Sequence, residues 1–413
     1  MKKFAVVAGV ATALMLGTSA MAADVEVVHW WTSGGEAAAV NEFAKAFDAT
    51  GDHWVDGAIA DGATARAAVM QRALGGDPPD ASQFNPGREY EDLINAGLLL
   101  DLKDVADANG WDAAIRPEGI AGACHIDGHW WCVPVNIHSW NWAWVSIPAF
   151  KKAGLELPKN FDEFLADAPK LKDAGIIPFA LGGGQGGWQV NGAFGVIQTA
   201  ELGLAKREAL LKDKDESVAM GPEMKQALTV FKGLRQYVDD GYAPRTWNDT
   251  TALVIQDKAA LQIMGDWAKG EFGVAGKVPG VDYDCLAMPI DNPTVSTDGD
   301  VFVFFKQSDP EVEAAQKRLA ALMISPAVQT AFNLKKGSTP VRDDADISAA
   351  DACMIKALGI FKDPSHIQVA AQRWLNEDTN NQLNALMTQF FSDDAMTVED
   401  AQAKYWDILK NAN

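Results

Sequence analysis

The stretch VEVVHWWTSGGEAAAVNEFAKAF, residues 25–47, decides the fold. Its first part, 25–31, alternates apolar and polar residues and predicts a strand. Gly34-Gly35 breaks it. Val40, Phe43, Ala44 and Phe47 then recur at helical spacing, so a helix follows. The same alternation continues downstream: 54–60 predicts a second strand, 64–74 a helix, and 79–84 a third strand closed by Asn85-Pro86-Gly87. Strand–helix alternation implies a parallel α/β sheet. Ligands of such sheets sit beyond the carboxyl ends of the strands. Trp30, Trp31, Gln83 and Asn85 all fall at such ends, so one sheet edge can gather them.

Further along, 123–133 predicts a hairpin, and the apolar run 133–145 is where the chain crosses into a second lobe. Helices are predicted at 161–172, 223–237 and 250–256, and strands at 176–181, 260–264 and 301–305. Asp309-Pro310 and Ser325-Pro326 each open a helix. The run GGGQGG at 182–187 lacks a following Lys-Ser/Thr, which excludes a phosphate P-loop. The C-terminal part, 367–409, is largely helical.

Composition narrows the class. Lys2 and Lys3, an apolar run over 4–17 and Ala20-Met21-Ala22 make a secretory signal peptide cut after Ala22. That run is too short to span a bilayer, and no Cys follows the cut to carry a lipid. The mature chain is expected to be soluble and exported. A length of 413 residues predicts two domains. The net charge is −21, and removing Lys2 and Lys3 leaves −23, which argues against nucleic acid or an anionic membrane as partner. Fourteen Trp against five Tyr is an unusual ratio. Core and interface packing is the plain reading for most of them; the sharper reading makes some of them surfaces whose indole faces stack on sugar rings.

Four Cys in an exported chain predict two disulfides. Cys124 and Cys132 flank Asp127-Gly128-His129, which looks like a three-residue hairpin loop with Ile126 opposite Trp130 and Cys124 opposite Cys132. Cys285 and Cys353 then remain to pair. A zinc site is the competing reading, although no CxxC or HxxxH spacing supports it.

The motifs VVHWWTSGGE (27–36), GGDPPDASQF (75–84), PVNIHSWNWAW (134–144), LQIMGDWAKGEF (261–272), DVFVFFK (300–306), KKGSTPVR (335–342) and the SH of PSHIQ (364–368) together resemble extracellular solute-binding protein family 1. These are the periplasmic sugar receptors of ABC importers, and the pattern is most similar to the glucose-binding members. The resemblance runs over nearly the whole mature chain. It implies a two-lobed α/β periplasmic binding protein of type II, with a hinge and a ligand cleft between the lobes. The lobes would be 23–135 with 290–343, and 136–289 with 344–413. It implies no enzyme activity, no cofactor and no metal. The partners implied are a small sugar, an inner-membrane permease with its ATPase, and in some relatives a chemoreceptor. Relatives are usually monomers.

Carried over by position, the resemblance makes Trp30 and Trp31 a tandem aromatic at the cleft edge. Glu36 becomes an acceptor for sugar hydroxyls, and Gln83 and Asn85 polar ligand positions. Trp247 and Trp267 become stacking aromatics of the second lobe, Asp300 and Lys336 a charged pair on the hydroxyls, and His366 a further ligand histidine. Asn85 stands where glucose-binding relatives can carry His or Lys, which leaves the sugar open. Ile367 follows His366 where relatives have Gly. From the residues alone, Trp30 is equally a core residue, Trp247 a loop cover, Asp300 a solvated strand start, and Lys335-Lys336 a helix end before Gly337. His138 reads as a core or hinge histidine.

The physical logic agrees with a polyol. Hydroxyls are donors and acceptors at once, so a selective site needs flat apolar faces plus fixed polar groups. The expected ligand is a monosaccharide, glucose or a related aldose. An oligosaccharide, a polyol or a sugar phosphate would keep the fold and change the ligand, and no Arg cluster supports the phosphate. A secreted glycoside hydrolase is the alternative of another class. It would need two carboxyls roughly 5–10 Å apart, with Glu36 and Asp300 as the candidates.

Overall fold

The strand Asp24–His29 pairs in parallel with His53–Ala58 on one side and with Ala81–Phe84 on the other. The computed structural model describes residues 22–412, so the signal-peptide expectation for residues 1–21 lies outside the described residues. Ser33 ends the first connection. Its hydroxyl accepts from the Glu36 N–H and caps the helix Gly34–Asp48. Gly34-Gly35 therefore opens the helix as well as breaking the strand. The helix buries Ala39, Val40, Phe43 and Phe47, and Phe43 stacks on Phe332 at 4.3 Å.

Within this sheet only these first three strands are parallel. Val301–Phe304 enters the sheet antiparallel beside Ala81–Phe84, and Val133–Pro134 closes the far edge. The expected all-parallel sheet is thus a mixed one. Val301–Phe304 reaches it from the second lobe and has no helical crossover to set its direction.

The second sheet runs in the order Tyr283–Ala287, Trp142–Ser146, Ala259–Ile263, Ile177–Ala180. Trp142–Ser146 is antiparallel to both its neighbours, while Ile177–Ala180 is parallel to Ala259–Ile263. Each sheet carries its own apolar core. One includes Val27, Phe84 and Trp130 with Phe302 and Val341. The other includes Val145, Phe179 and Leu228 with Leu383 and Tyr405. The molecule is a two-lobed type II α/β fold.

Four segments of the chain run side by side where the lobes join. The His138 N–H donates to the Asp298 carbonyl, Ile137 exchanges backbone hydrogen bonds with Thr339, and Val295–Ser296 pairs with Ile367–Gln368. Both expected disulfides are present, Cys124–Cys132 and Cys285–Cys353. The hairpin register differs by one residue from the expectation. His125 pairs with Trp130 and Ile126 with His129, around a two-residue turn in which Asp127 (φ 53°) and Gly128 (φ 80°) are both left-handed. Asp-Gly favours that type I′ turn. Cys124 closes the helix Glu118–Cys124 and so reaches Cys132 from the helix end, not from a facing strand position. Among the described residues no helix is long and apolar enough to cross a membrane.

Candidate functional site

A cavity of about 350 Å³ lies between the lobes. Eight of the ten residues singled out in the sequence line it: Trp30, Trp31, Glu36, Asn85, Trp247, Trp267, Asp300 and Lys336. The first strand stops at His29, so the alternation that would separate the two tryptophans has ended before them. Trp31 is buried against Phe302 and Phe332, at 5.6 and 5.2 Å. Trp30 is half-buried, with the Arg66 guanidinium 5.3 Å from its ring.

Asp300 is the centre of the polar wall. Gln83 Nε2 donates to its Oδ1 and Asn136 Nδ2 to its Oδ2, both at 2.7 Å, and His138 Nδ1 lies 3.3 Å from Oδ2. Burial alone would raise the Asp300 pKa. The charge of the nearby His138, then Lys336 and the hydrogen bond from Asn136, outweigh it and bring it down to about 2. Burial also works against the charged form of His138, but Asp300, with Asp298 and Asp266, raises its pKa.

Lys336 closes the helix Pro326–Lys336, and Gly337 follows in the left-handed conformation (φ 96°). A Cβ at Gly337 would stand 2.5 Å from the Asp266 carbonyl oxygen. The helix end is therefore pressed against the loop that carries Trp267. Lys336 Nζ sits 5.5 Å from the Trp31 ring and 5.7 Å from that of Trp267, and donates to Glu36 Oε1 at 2.9 Å. Both members of this pair are buried. Burial raises the Glu36 pKa in spite of Lys336.

Gln83 and His366 do not line the cavity. Gln83 lies behind it, where its Oε1 accepts from the Trp30 N–H at 3.0 Å while its amide holds Asp300. His366 points away, with Nδ1 2.6 Å from the Pro293 carbonyl oxygen. Its turn leads into the hinge strand, and Gln368, two residues on, reaches the cavity instead.

Six further residues shape the site. Trp140 and Trp188 meet Trp267 at 5.0 and 6.3 Å, and Trp140 meets Trp188 at 5.4 Å, so three indoles form one wall. Gly192 makes room for this, because a Cβ there would stand 2.3 Å from the Trp140 ring. Arg66, on the first lobe, lies 3.3 Å from Glu89 and 3.1 Å from Glu377 of the second lobe. Glu89 in turn accepts from the backbone and side chain of Asn85, at 3.0 and 2.8 Å. In the sequence, Trp188 directly follows the glycine-rich run and Trp140 lies in HSWNWAW; nothing local marks Arg66 or Glu377.

Behind Trp267, Asp266 accepts from the Ser139 N–H, and its Oδ1 is unpaired. Burial pushes its pKa up to about 7, against the pull of His138. The folded state thus keeps a proton that the unfolded chain has lost above about pH 4. This contribution to stability fades as pH rises toward and past 7. The raised pKa of His138 acts in the same direction. Denaturant titrations of the ligand-free protein should show stability falling between about pH 5 and 8, and Asp266→Asn should flatten that slope and stabilise by about 1–2 kcal/mol at the upper end. An unchanged slope would remove Asp266 as its source.

Residues 31–330 match the model of the bacterial extracellular solute-binding protein family. A probable sugar-binding periplasmic protein of Rhizobium meliloti is 40% identical over 361 residues, which cover 87% of this chain and 86% of that one. An uncharacterised ABC transporter extracellular-binding protein of Pyrococcus horikoshii is 32% identical over 340 residues, covering 79% of this chain and 74% of its own length. Among solved structures, a chitin oligosaccharide binding protein superposes with a TM-score of 0.81 at 18% identity, over 95% of this chain and 99% of that one. The chain belongs to the bacterial extracellular solute-binding protein family.

Proposed function

We propose that this member of the solute-binding family is the periplasmic sugar receptor of a carbohydrate ABC importer, and that it takes a monosaccharide, glucose or a related aldose, into the cleft. One observation carries the reading: a wall of indoles at Trp140, Trp188 and Trp267 faces fixed polar groups at Asp300, Lys336 and Asn85 across one cavity. An indole face covers the C–H face of a sugar ring. Charged groups held in place make the stronger hydrogen bonds to hydroxyls. The sugar-binding name of the Rhizobium meliloti relative supports the ligand class. A micromolar complex needs about −8 kcal/mol, or roughly −0.7 kcal/mol for each of about a dozen hexose heavy atoms, which a small ligand can supply.

The carboxylates favour binding over hydrolysis. Asp300 is held ionised with both oxygens engaged, and Glu36 is tied to Lys336, so neither is free to act as a general acid. Calorimetry with hexoses, pentoses and disaccharides tests the reading; disaccharides are included because the cavity extends beyond Trp267 into the second lobe. Absence of binding below millimolar to any of them would sink it, and release of reducing sugar from an aryl glycoside would favour the hydrolase.

We take the lobes as 23–135 with 290–343 and 136–289 with 344–413, closing on the sugar by a hinge motion and then presented to the permease and its ATPase. Close contacts between them support a closed form. The Gly35 N–H donates to Glu271 Oε1 at 2.7 Å, and a Cβ at Gly35 would stand 2.5 Å from the Gly270 carbonyl carbon. Gly35→Ala should therefore oppose closure and weaken sugar binding about tenfold, or about 1.4 kcal/mol, with little change in the unfolding midpoint of the sugar-free protein. An unchanged Kd would show that binding does not bring Gly35 and Gly270 together.

A further inference from the structure

The cavity does not end at the indole wall. It continues into the second lobe, between the helix Trp188–Leu211 and the C-terminal helices Glu377–Ser392 and Val398–Lys410. Phe194, Leu211 and Leu383 give this inner chamber apolar walls, and Gln198, Arg207 and Tyr405 give it its polar groups. Arg207 is only 7% exposed. Its Nη1 donates to the Val369 carbonyl at 3.1 Å, which ties down the segment that follows the hinge strand. Its Nε is buried without any partner, and among the described residues no carboxylate forms an ion pair with it. The charge of Asp298 reaches Arg207 only from a distance.

A guanidinium buried in this way is a net cost to folding unless something compensates its charge. The neighbouring hydroxyl is arranged to help. Gln198 Nε2 donates to the Tyr405 oxygen at 3.3 Å, which leaves the tyrosine's own O–H without an acceptor among the described residues. Burial raises the Tyr405 pKa, so the group stays a neutral donor. The apolar walls lower the local dielectric and strengthen the attraction between the guanidinium and an anion held beside it, which offsets the anion's desolvation.

We propose that the inner chamber is an anion site, in which a single negative charge accepts from the Arg207 guanidinium and the Tyr405 O–H. The charge has two sources: the carboxylate of an acidic sugar whose ring lies in the cleft, or a free inorganic anion such as chloride. The first source rests on the sugar reading of the cleft; the second is independent of it.

The test uses the whole mature protein. Calorimetry compares a hexuronate with its parent neutral hexose, and the line width of the chloride NMR signal is followed as protein is added without sugar. A hexuronate that binds at least tenfold tighter than the hexose identifies the first source. Saturable broadening of the chloride line identifies the second. Either effect should vanish in Arg207→Met and shrink severalfold in Tyr405→Phe, which removes one hydroxyl and leaves the packing in place. A hexuronate no tighter than the hexose, together with an unbroadened chloride line, overturns the proposal, as does an effect that both variants retain. Neutral hexose binding in the same panel keeps the two conclusions apart: if it persists while the anion effects fail, only the chamber is lost. If every neutral sugar fails while chloride binds, the cleft reading is lost and the chamber stands.

Discussion

Replacing Lys336 by Met is expected to destabilise the protein by about 3–5 kcal/mol near neutral pH and to abolish measurable sugar binding. The ammonium is buried with Glu36 and stands between the rings of Trp31 and Trp267. Met keeps most of the apolar stem, so lost packing contributes little. What remains is Glu36, buried and without its counter-charge. Its pKa is already raised by burial while Lys336 is present, and must rise further without it. The carboxyl can then escape its cost by taking a proton. The loss should therefore be smaller at pH 5 than at pH 8, and the variant should lose stability as pH rises, a sign opposite to that of an ordinary salt-bridged carboxylate. Adding Glu36→Gln should recover much of the stability without restoring binding, because no cation returns to the cavity. Denaturant unfolding of the two single variants and the double variant, at both pH values, forms the cycle that measures the pair. A loss below about 1 kcal/mol that is independent of pH would make the pair equivalent to a surface one.

The first lobe was legible because its strands and helices follow one another as local units. The three strands expected at 25–31, 54–60 and 79–84 fall within a few residues of Asp24–His29, His53–Ala58 and Ala81–Phe84. What lacked a local signal was the long helix Trp188–Leu211. It is interrupted at Gly203 (φ 69°) and buries residues on all sides, among them the consecutive Val196, Ile197, Gln198 and Thr199, so its apolar positions do not form a single stripe. With that helix went Trp188 and Arg207, on which the indole wall and the inner chamber depend. The cleft edge was legible for a different reason: Trp30, Asn85 and Asp300 each sit next to a strand end, where the chain turns toward the cavity. His366 was misplaced because short turns in the hinge set its direction, and these carry no periodicity. Arg66 and Glu377 lie 311 residues apart, and only the approach of the lobes brings them together.

Trp267→Ala should weaken sugar binding by about 1–3 kcal/mol, judged from the stacking of bases on aromatic side chains, with the upper end favoured by its position. Trp267 is the meeting point of the wall: its ring contacts those of Trp140, Trp188 and His138, and Lys336 lies over it. Removing it takes away a stacking face and also one of the surfaces that hold His138 against Asp300. The polar groups would remain present but less well fixed, and a hydroxyl site that is loose by a fraction of an ångström loses directional hydrogen bonds. Trp267→Phe separates the two effects. A phenyl ring restores a flat apolar face of smaller area, so it should recover part of the affinity if stacking dominates and little if the support of His138 dominates. Calorimetry on both variants, with unfolding midpoints to confirm intact folds, reads the difference. An affinity unchanged in Trp267→Ala would take the ring out of the site, and the weight of recognition would then shift to Trp30 and Trp247 on the remaining walls of the cavity.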